Sequence, residues 1–209
     1  MSNGGLKKHF AKCSKRLEAI NNVKEKSKEQ EFYHLQVQDA WRKEFWLHLE
    51  INGSDQLIDL DDYLRSIWLE CCDHLSQFSI GGWQGEEISK TKRIKEIFKA
   101  GIVLTHIYDF GTSSETLIKF VDMRKGKALS KYPIYLMGRN NLPEVFCMEC
   151  DRIALWLCME CMYEYDETGF LCDVHAETHP HDDYGDPLSL VNSPRLGLCG
   201  YSGPADPPY

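Results

Sequence analysis

The chain has 209 residues, 43% hydrophobic and 27% charged, with five tryptophans and a net charge of −8. That length holds one full core and a small satellite module but not two large domains, and the apolar content excludes a disordered chain. No stretch approaches the ~18 uninterrupted apolar residues of a bilayer span, and the basic start has no apolar segment behind it, so a cytoplasmic protein with no membrane partner is expected.

Charge is segregated along the chain. Residues 1–30 carry eight Lys/Arg against three acids, 31–84 three against ten, 85–131 ten against six, and 147–209 two against twelve. The first segment, with Lys7, Lys8, Lys12, Lys15 and Arg16, reads as a solvated or frayed arm in which Phe10, Leu17 and Ile20 give a weak helical pattern. From Phe32 the texture changes to period-two alternation. Residues 32–37 and 45–51 read as strands of a hairpin, joined by a polar turn at 39–43 and closed by Asn52-Gly53.

Helical spacing follows. Leu60, Leu64, Ile67, Trp68, Cys71 and Leu75 predict one main helix over 60–75, with Asp59, Asp61 and Asp62 supplying a cap and favourable charge at its start. Residues 81–85, rich in glycine, form a loop. A short basic helix over 91–100 sets Ile94, Ile97 and Phe98 on its apolar side, and Gly101 stops it. Strands return at 102–110 and 115–123 across a turn of hairpin length, then at 134–137, before the loop formers at 138–143. The fold class read from this order is α+β: an antiparallel sheet packed against one main helix, plus a small C-terminal zinc-binding module. The division is a basic arm (1–30), an α+β core (31–143), a Cys/His module (144–184) and an extended, proline-rich, loose tail (185–209).

The chemistry is concentrated in the module. Its spacing is Cys147-x2-Cys150-x7-Cys158-x2-Cys161-x10-Cys172-x2-His175-x3-His179-x1-His181. Cysteines three apart turn around one ion, and the intervening amides stabilise the sulfur charge. Thiolate plus imidazole suits zinc. Eight ligands make two closed sites, and an interleaved arrangement puts Cys147, Cys150, Cys172 and His175 on one ion and Cys158, Cys161, His179 and His181 on the other. The alternative is a single zinc that leaves His179 and His181 on the surface; Asp173, Asp182 or Asp183 are further candidates to replace a histidine. Four-coordinate sites are structural, whereas a catalytic zinc would keep a water and a base, for which Glu177 or Asp183 would have to serve.

Other features are weaker. Asp109-Phe110-Gly111 lacks every companion motif of a kinase and reads as a strand end and turn. Cys71, Cys72 and His74 invite a nucleophile–base reading, yet adjacent helical positions diverge by about 100°, so core thiols are the expectation. Trp46 and Trp68 read as core, while Trp83, Tyr108 and the 90–99 helix make an alternative nucleic-acid face.

The runs LDDYLRSIWLECCDHLSQF (60–78), IYDFGTSSETLIKFV (107–121), CMEC, CMEC, FLCDVHAETH and VNSPRLGLCGYSG (191–203) resemble the prokaryotic plasmid Ri "open reading frame three"-like family, often labelled transposon passenger proteins. The resemblance spans most of 32–203. It implies a compact core of hairpin, helix and antiparallel strands with the C-terminal zinc-binding extension of one branch, and association with plasmids or mobile elements; it brings no activity or catalytic residue. Three functions follow: a non-enzymatic zinc-binding interaction module with a protein partner, which is preferred; a nucleic-acid accessory protein using Lys7, Lys8, Lys12, Lys90, Lys92, Arg93 and Lys95 on phosphate; and a hydrolase using the zinc or Cys71/Cys72.

Overall fold

A computed structural model describes residues 3–23 and 29–209. Two short helices, α1 (Asn3–Phe10) and α2 (Ser14–Asn22), precede the hairpin β1 (Gln30–Asp39) and β2 (Trp46–Asn52). Then come α3 (Leu57–Leu64), a π-helical turn (Arg65–Leu69), β3 (Ser76–Ile80), β4 (Glu86–Ile88), the single turn α4 (Ile94–Ile97), β5 (Val103–Tyr108), β6 (Ser114–Gly126) and β7 (Ile134–Arg139). These strands form one antiparallel sheet in the order β4-β3-β5-β6-β1-β2-β7. The fold is α+β, as the alternating and helical periods require.

Period two decides which side chains meet which layer. Tyr33, Leu35 and Val37 of β1, with Leu47, Leu49 and Ile51 of β2, face α3 and its π-helical continuation, where Leu57, Leu60, Leu64, Ile67 and Trp68 complete the core. A capping box starts α3: Gln56 is the cap and its backbone N–H donates to Asp59 Oδ2 at 2.8 Å. Asp61, expected at the cap, is instead buried in the sheet layer, bonded to His106 Nε2 (2.6 Å), Lys90 Nζ (2.8 Å) and Ser76 Oγ (2.8 Å).

The opposite face of β1 and β2 carries His34, His48 and Glu50, and the N-terminal helices cover it. Phe10 is buried edge-on against both imidazoles, and Arg16 pairs with Glu50 at 2.9 Å. Residues 3–22 of the arm are therefore docked rather than solvated, although Lys7, Lys8, Lys12 and Lys15 remain exposed; residues 1, 2 and 24–28 of the arm lie outside the described residues. His48 Nε2 lies 2.9 Å from Asn3 Oδ1, an acceptor, so that nitrogen carries the proton; His48 Nδ1 then accepts from His34 Nε2 at 2.8 Å. Burial holds both neutral, lowering His34 to about 3 and His48 to about 4, with His48 and nearby cations adding to the effect on His34 and Lys7 to that on His48.

Several expectations are corrected. The main helix does not reach residue 75: it loosens to a π turn after Leu64, and the chain leaves it extended at Glu70, so Leu75 is exposed. The 91–100 helix shrinks to α4, whose Ile94, with neighbouring Phe98, still enters the core. Strands β3 and β4 were not anticipated, because Phe78 is the single fully buried apolar residue in Ser76–Ile80. The C-terminal segment is packed, not loose. Ser193 Oγ donates to the Trp68 carbonyl (2.8 Å), Trp68 Nε1 donates to the Asn192 carbonyl (3.1 Å), and Arg139 donates to the same carbonyl (2.5 Å). Arg195 is buried and bonds Asp109 Oδ2 at 2.6 Å and Ser114 Oγ at 2.7 Å. No helix among the described residues is long and apolar enough to cross a membrane.

Candidate metal centre

A second, three-stranded sheet organises the cysteines. Strand β8 (Trp156–Leu157) pairs antiparallel with β9 (Phe170–Leu171) and with β10 (Leu188–Ser189). Each of the first two runs directly into a ligand pair. Cys158 follows β8 and caps helix α5 (Met159–Glu164), so Cys161 lies one turn on, its N–H directed at Cys158 Sγ (3.5 Å). Cys172 follows β9 and precedes helix α6 (Asp173–Glu177), which carries His175. The Cys147–Cys150 knuckle is a turn closed by a bridge between Phe146 and Ile153 and by Cys147 N–H donating to the Arg152 carbonyl at 2.8 Å. The β8–β9 connection returns tightly. Cys158 N–H bonds the Gly169 carbonyl at 2.8 Å, and a Cβ on Gly169 would sit 2.4 Å from the Cys158 oxygen at φ +68, so only glycine fits.

Two tetrads result. Cys147, Cys150, Cys172 and His175 bring their donor atoms together, and so do Cys158, Cys161, His179 and His181, in each case within 4.8 Å of one another. In the first, Cys147 Sγ is 3.2 Å and Cys172 Sγ 3.6 Å from His175 Nδ1, and Cys150 Sγ is 3.8 Å from Cys172 Sγ. In the second, Cys161 Sγ is 3.1 Å from both His179 Nε2 and His181 Nδ1, and Cys158 Sγ is 3.8 Å from His181 Nδ1. Donors at ~2.0–2.3 Å from a tetrahedral ion are separated by about 3.3–3.8 Å, within a few tenths of an ångström of the contacts in both sets, so both are close to the spacing of such a site. The grouping pairs the first knuckle with the third and the second with the two late histidines. Asp173, Asp182, Asp183 and Glu177 belong to neither tetrad; Asp173 accepts from Trp156 Nε1 at 2.9 Å instead.

The electrostatics of the tetrads differ. Burial pushes the Cys147 thiol up, but the backbone N–H groups of Cys172, Glu149 and Cys150 outweigh it and leave the thiol below its ordinary value. Cys150 is lowered by the Arg152 backbone N–H and then by its guanidinium. In the second tetrad burial, followed by the neighbouring Cys158 sulfur and the acids Glu167 and Glu160, pushes Cys161 up to about 12. Burial and His181 lower His179. Backbone amides thus favour the thiolates of Cys147 and Cys150, whereas burial disfavours that of Cys161.

The remaining candidates fall elsewhere. Trp46 and Trp68 are core, as expected. The nucleic-acid face does not assemble: Tyr108 is fully buried, Lys90 is tied to Asp61, and Trp83 packs edge-on against Phe110. Lys92, Arg93 and Lys95 are exposed. Cys72 is not a core thiol, whereas Cys71, half-buried, packs against the core cluster. They sit in the turn after the π helix, Cys72 is exposed, and Cys199 of the C-terminal segment stands beside them. Cys199 has no other cysteine or histidine at ligand spacing in the sequence, and the one signal that points to it is its place in a Gly-Leu-Cys-Gly turn.

Neither family models nor curated proteins match this chain. Among solved structures it is similar to a protein of unknown function, MM3350, from Methanosarcina mazei Go1, at 16% identity and a TM-score of 0.45 over 53% of this chain and 69% of that one.

Proposed function

We propose that residues 144–184 form a structural zinc module, two ions each held by four protein ligands, which displays an acidic surface to a protein partner. The observation that carries this reading is the interleaved pair of tetrads, each supplying four donors at tetrahedral spacing and so leaving no vacancy for a reacting water. Fully buried apolar residues around them are few: Leu157, Met159 and Leu196 in one cluster, Cys158, Cys161 and Leu171 in another, with half-buried side chains such as Met162, Phe170, Leu188 and Trp156 packed beside them. A segment with so little core needs metal to hold its fold.

The surface supports docking to protein rather than to phosphate. Residues 147–209 hold two basic side chains against twelve acidic ones, and one of the two, Arg195, is buried against Asp109. Exposed Tyr163, Tyr165, Tyr184 and Ile153 stand among those acids, a mixture suited to a basic, partly apolar protein surface. The sequence resemblance to the plasmid Ri "open reading frame three"-like family, in its zinc-bearing branch, is consistent with this assignment. Crosslinking in a lysate of the source cells, with and without a zinc chelator, tests it: the reading expects adducts that disappear on chelation and in Cys161→Ser. Adducts indifferent to metal would refute it, and salt-sensitive retention on long DNA would favour the nucleic-acid alternative.

A further inference from the structure

We propose that Cys71, Cys72, His74 and Cys199 form a third metal site, which takes a thiophilic divalent ion of the zinc class and staples the C-terminal segment to the sheet domain. These residues are separate from the two tetrads of the module, and the inference stands whether or not the module docks a partner.

The geometry repeats that of the module. Cys72 Sγ lies 3.6 Å from both Cys71 Sγ and Cys199 Sγ, while His74 Nε2 lies 3.0 Å from Cys72 Sγ and 3.3 Å from Cys199 Sγ. All four donors fall within 4.8 Å of one another. Sulfurs 3.6 Å apart are at the separation of thiolates sharing an ion, far beyond the ~2.05 Å of a disulfide. Core packing does not explain the set, because Cys72 and Cys199 are exposed.

Both loops are braced to hold these positions. Arg65 clamps the first through Glu70 (2.5 Å) and Asp73 (2.6 Å). From beneath, the N–H groups of Cys71 and His74 each donate to Tyr108 Oη at 3.4 Å, and that hydroxyl donates to Glu70 Oε1 at 3.0 Å. Arg195 anchors the second loop, and its guanidinium also reaches Cys71 Sγ at 3.4 Å, where it would offset the surplus negative charge of three thiolates on a divalent ion. Asp109 Oδ2, 3.5 Å from His74 Nε2, already accepts from Arg195. Asp73 and Cys199 are non-glycine residues at φ 60 and φ 52, a conformation that costs energy and persists where the surroundings enforce it. Within these braces three thiols and an imidazole from segments 125 residues apart converge.

Cys72 and Cys199 are exposed, and Cys199 opens on a groove lined by Tyr163, Tyr184 and Leu188, which makes this ion exchange faster than the other two. The test is zinc release from the full chain to a chromophoric chelator, with zinc counted by native mass spectrometry. Three zincs per chain are expected, one released in a fast phase; Cys199→Ser and His74→Gln should each carry two and lose that phase. Cys161→Ser should keep the fast phase while losing a slow ion, so failure of the module and failure of this site are distinguishable. Circular dichroism checks that each variant is folded. Two zincs in the wild type, with Cys72 and Cys199 alkylated freely or joined as a disulfide, would overturn the proposal, as would a fast phase that survives both Cys199→Ser and His74→Gln.

Discussion

The sheet domain and the Cys/His module achieve order by different means. In the first, more than twenty buried side chains from Tyr33 to Ile134 make one continuous apolar cluster; in the second, two clusters of three buried residues each, two of these residues being the ligand candidates Cys158 and Cys161, are flanked by half-buried apolar side chains. Apolar burial stabilises by roughly 25 cal/mol per Å² removed from water, so it contributes far more to the first than to the second. The difference teaches that the two regions should respond to different insults: the sheet to loss of packing or of a buried charge partner, the module to loss of metal.

The largest effect expected is that of metal removal. Structural zinc contributes on the order of 10–16 kcal/mol in small modules, so Cys147→Ser or chelation should unfold residues 144–184 while the sheet keeps its transition. Calorimetry with and without chelator separates the two; a single transition lost as a whole would mean the regions fold as one. Next comes the seam. Arg195→Met leaves Asp109 buried without its partner and should cost about 3–5 kcal/mol, measured by urea unfolding, with partial recovery in Arg195→Met/Asp109→Asn.

Smaller effects sharpen the account of the sheet. His34 and His48 are held neutral below their ordinary value, so the unfolded chain binds more protons than the folded one as pH drops below 6.5. Stability is therefore full above that pH and declines as pH falls toward their folded values of about 3 and 4. Between pH 7 and 5 the loss should be about 1–2 kcal/mol per histidine, and His34→Gln should flatten the profile. A pH-independent stability over that range would contradict the neutral pair. At the bottom, Lys125→Ala removes an exposed pair with Glu31 and should change stability by less than about 1 kcal/mol in the same urea assay.

What was legible in the sequence was local. Alternation in 32–37 and 45–51 exposed the β1–β2 hairpin because each of those strands has one face toward the core, and cysteines three apart displayed the knuckles because their geometry is set within one turn. Features that depend on distant contacts were not legible. Asp61 reads as a helix-start acid but finds its partners in His106 and Lys90 across the sheet layer. The helix ends early because Arg65 holds Glu70 and Asp73 in a turn that helical periodicity through Leu75 conceals. The basic arm looked solvated since the cover it gives His34 and His48 belongs to the fold, and Cys199 approaches Cys72 only after the C-terminal segment crosses Trp68.

The most direct test of the central claim is native mass spectrometry of the chain purified without chelator and then treated mildly with one. Two zincs retained per chain, with the C-terminal module folded, is the predicted result. A metal-free chain whose residues 144–184 are nonetheless ordered would contradict it.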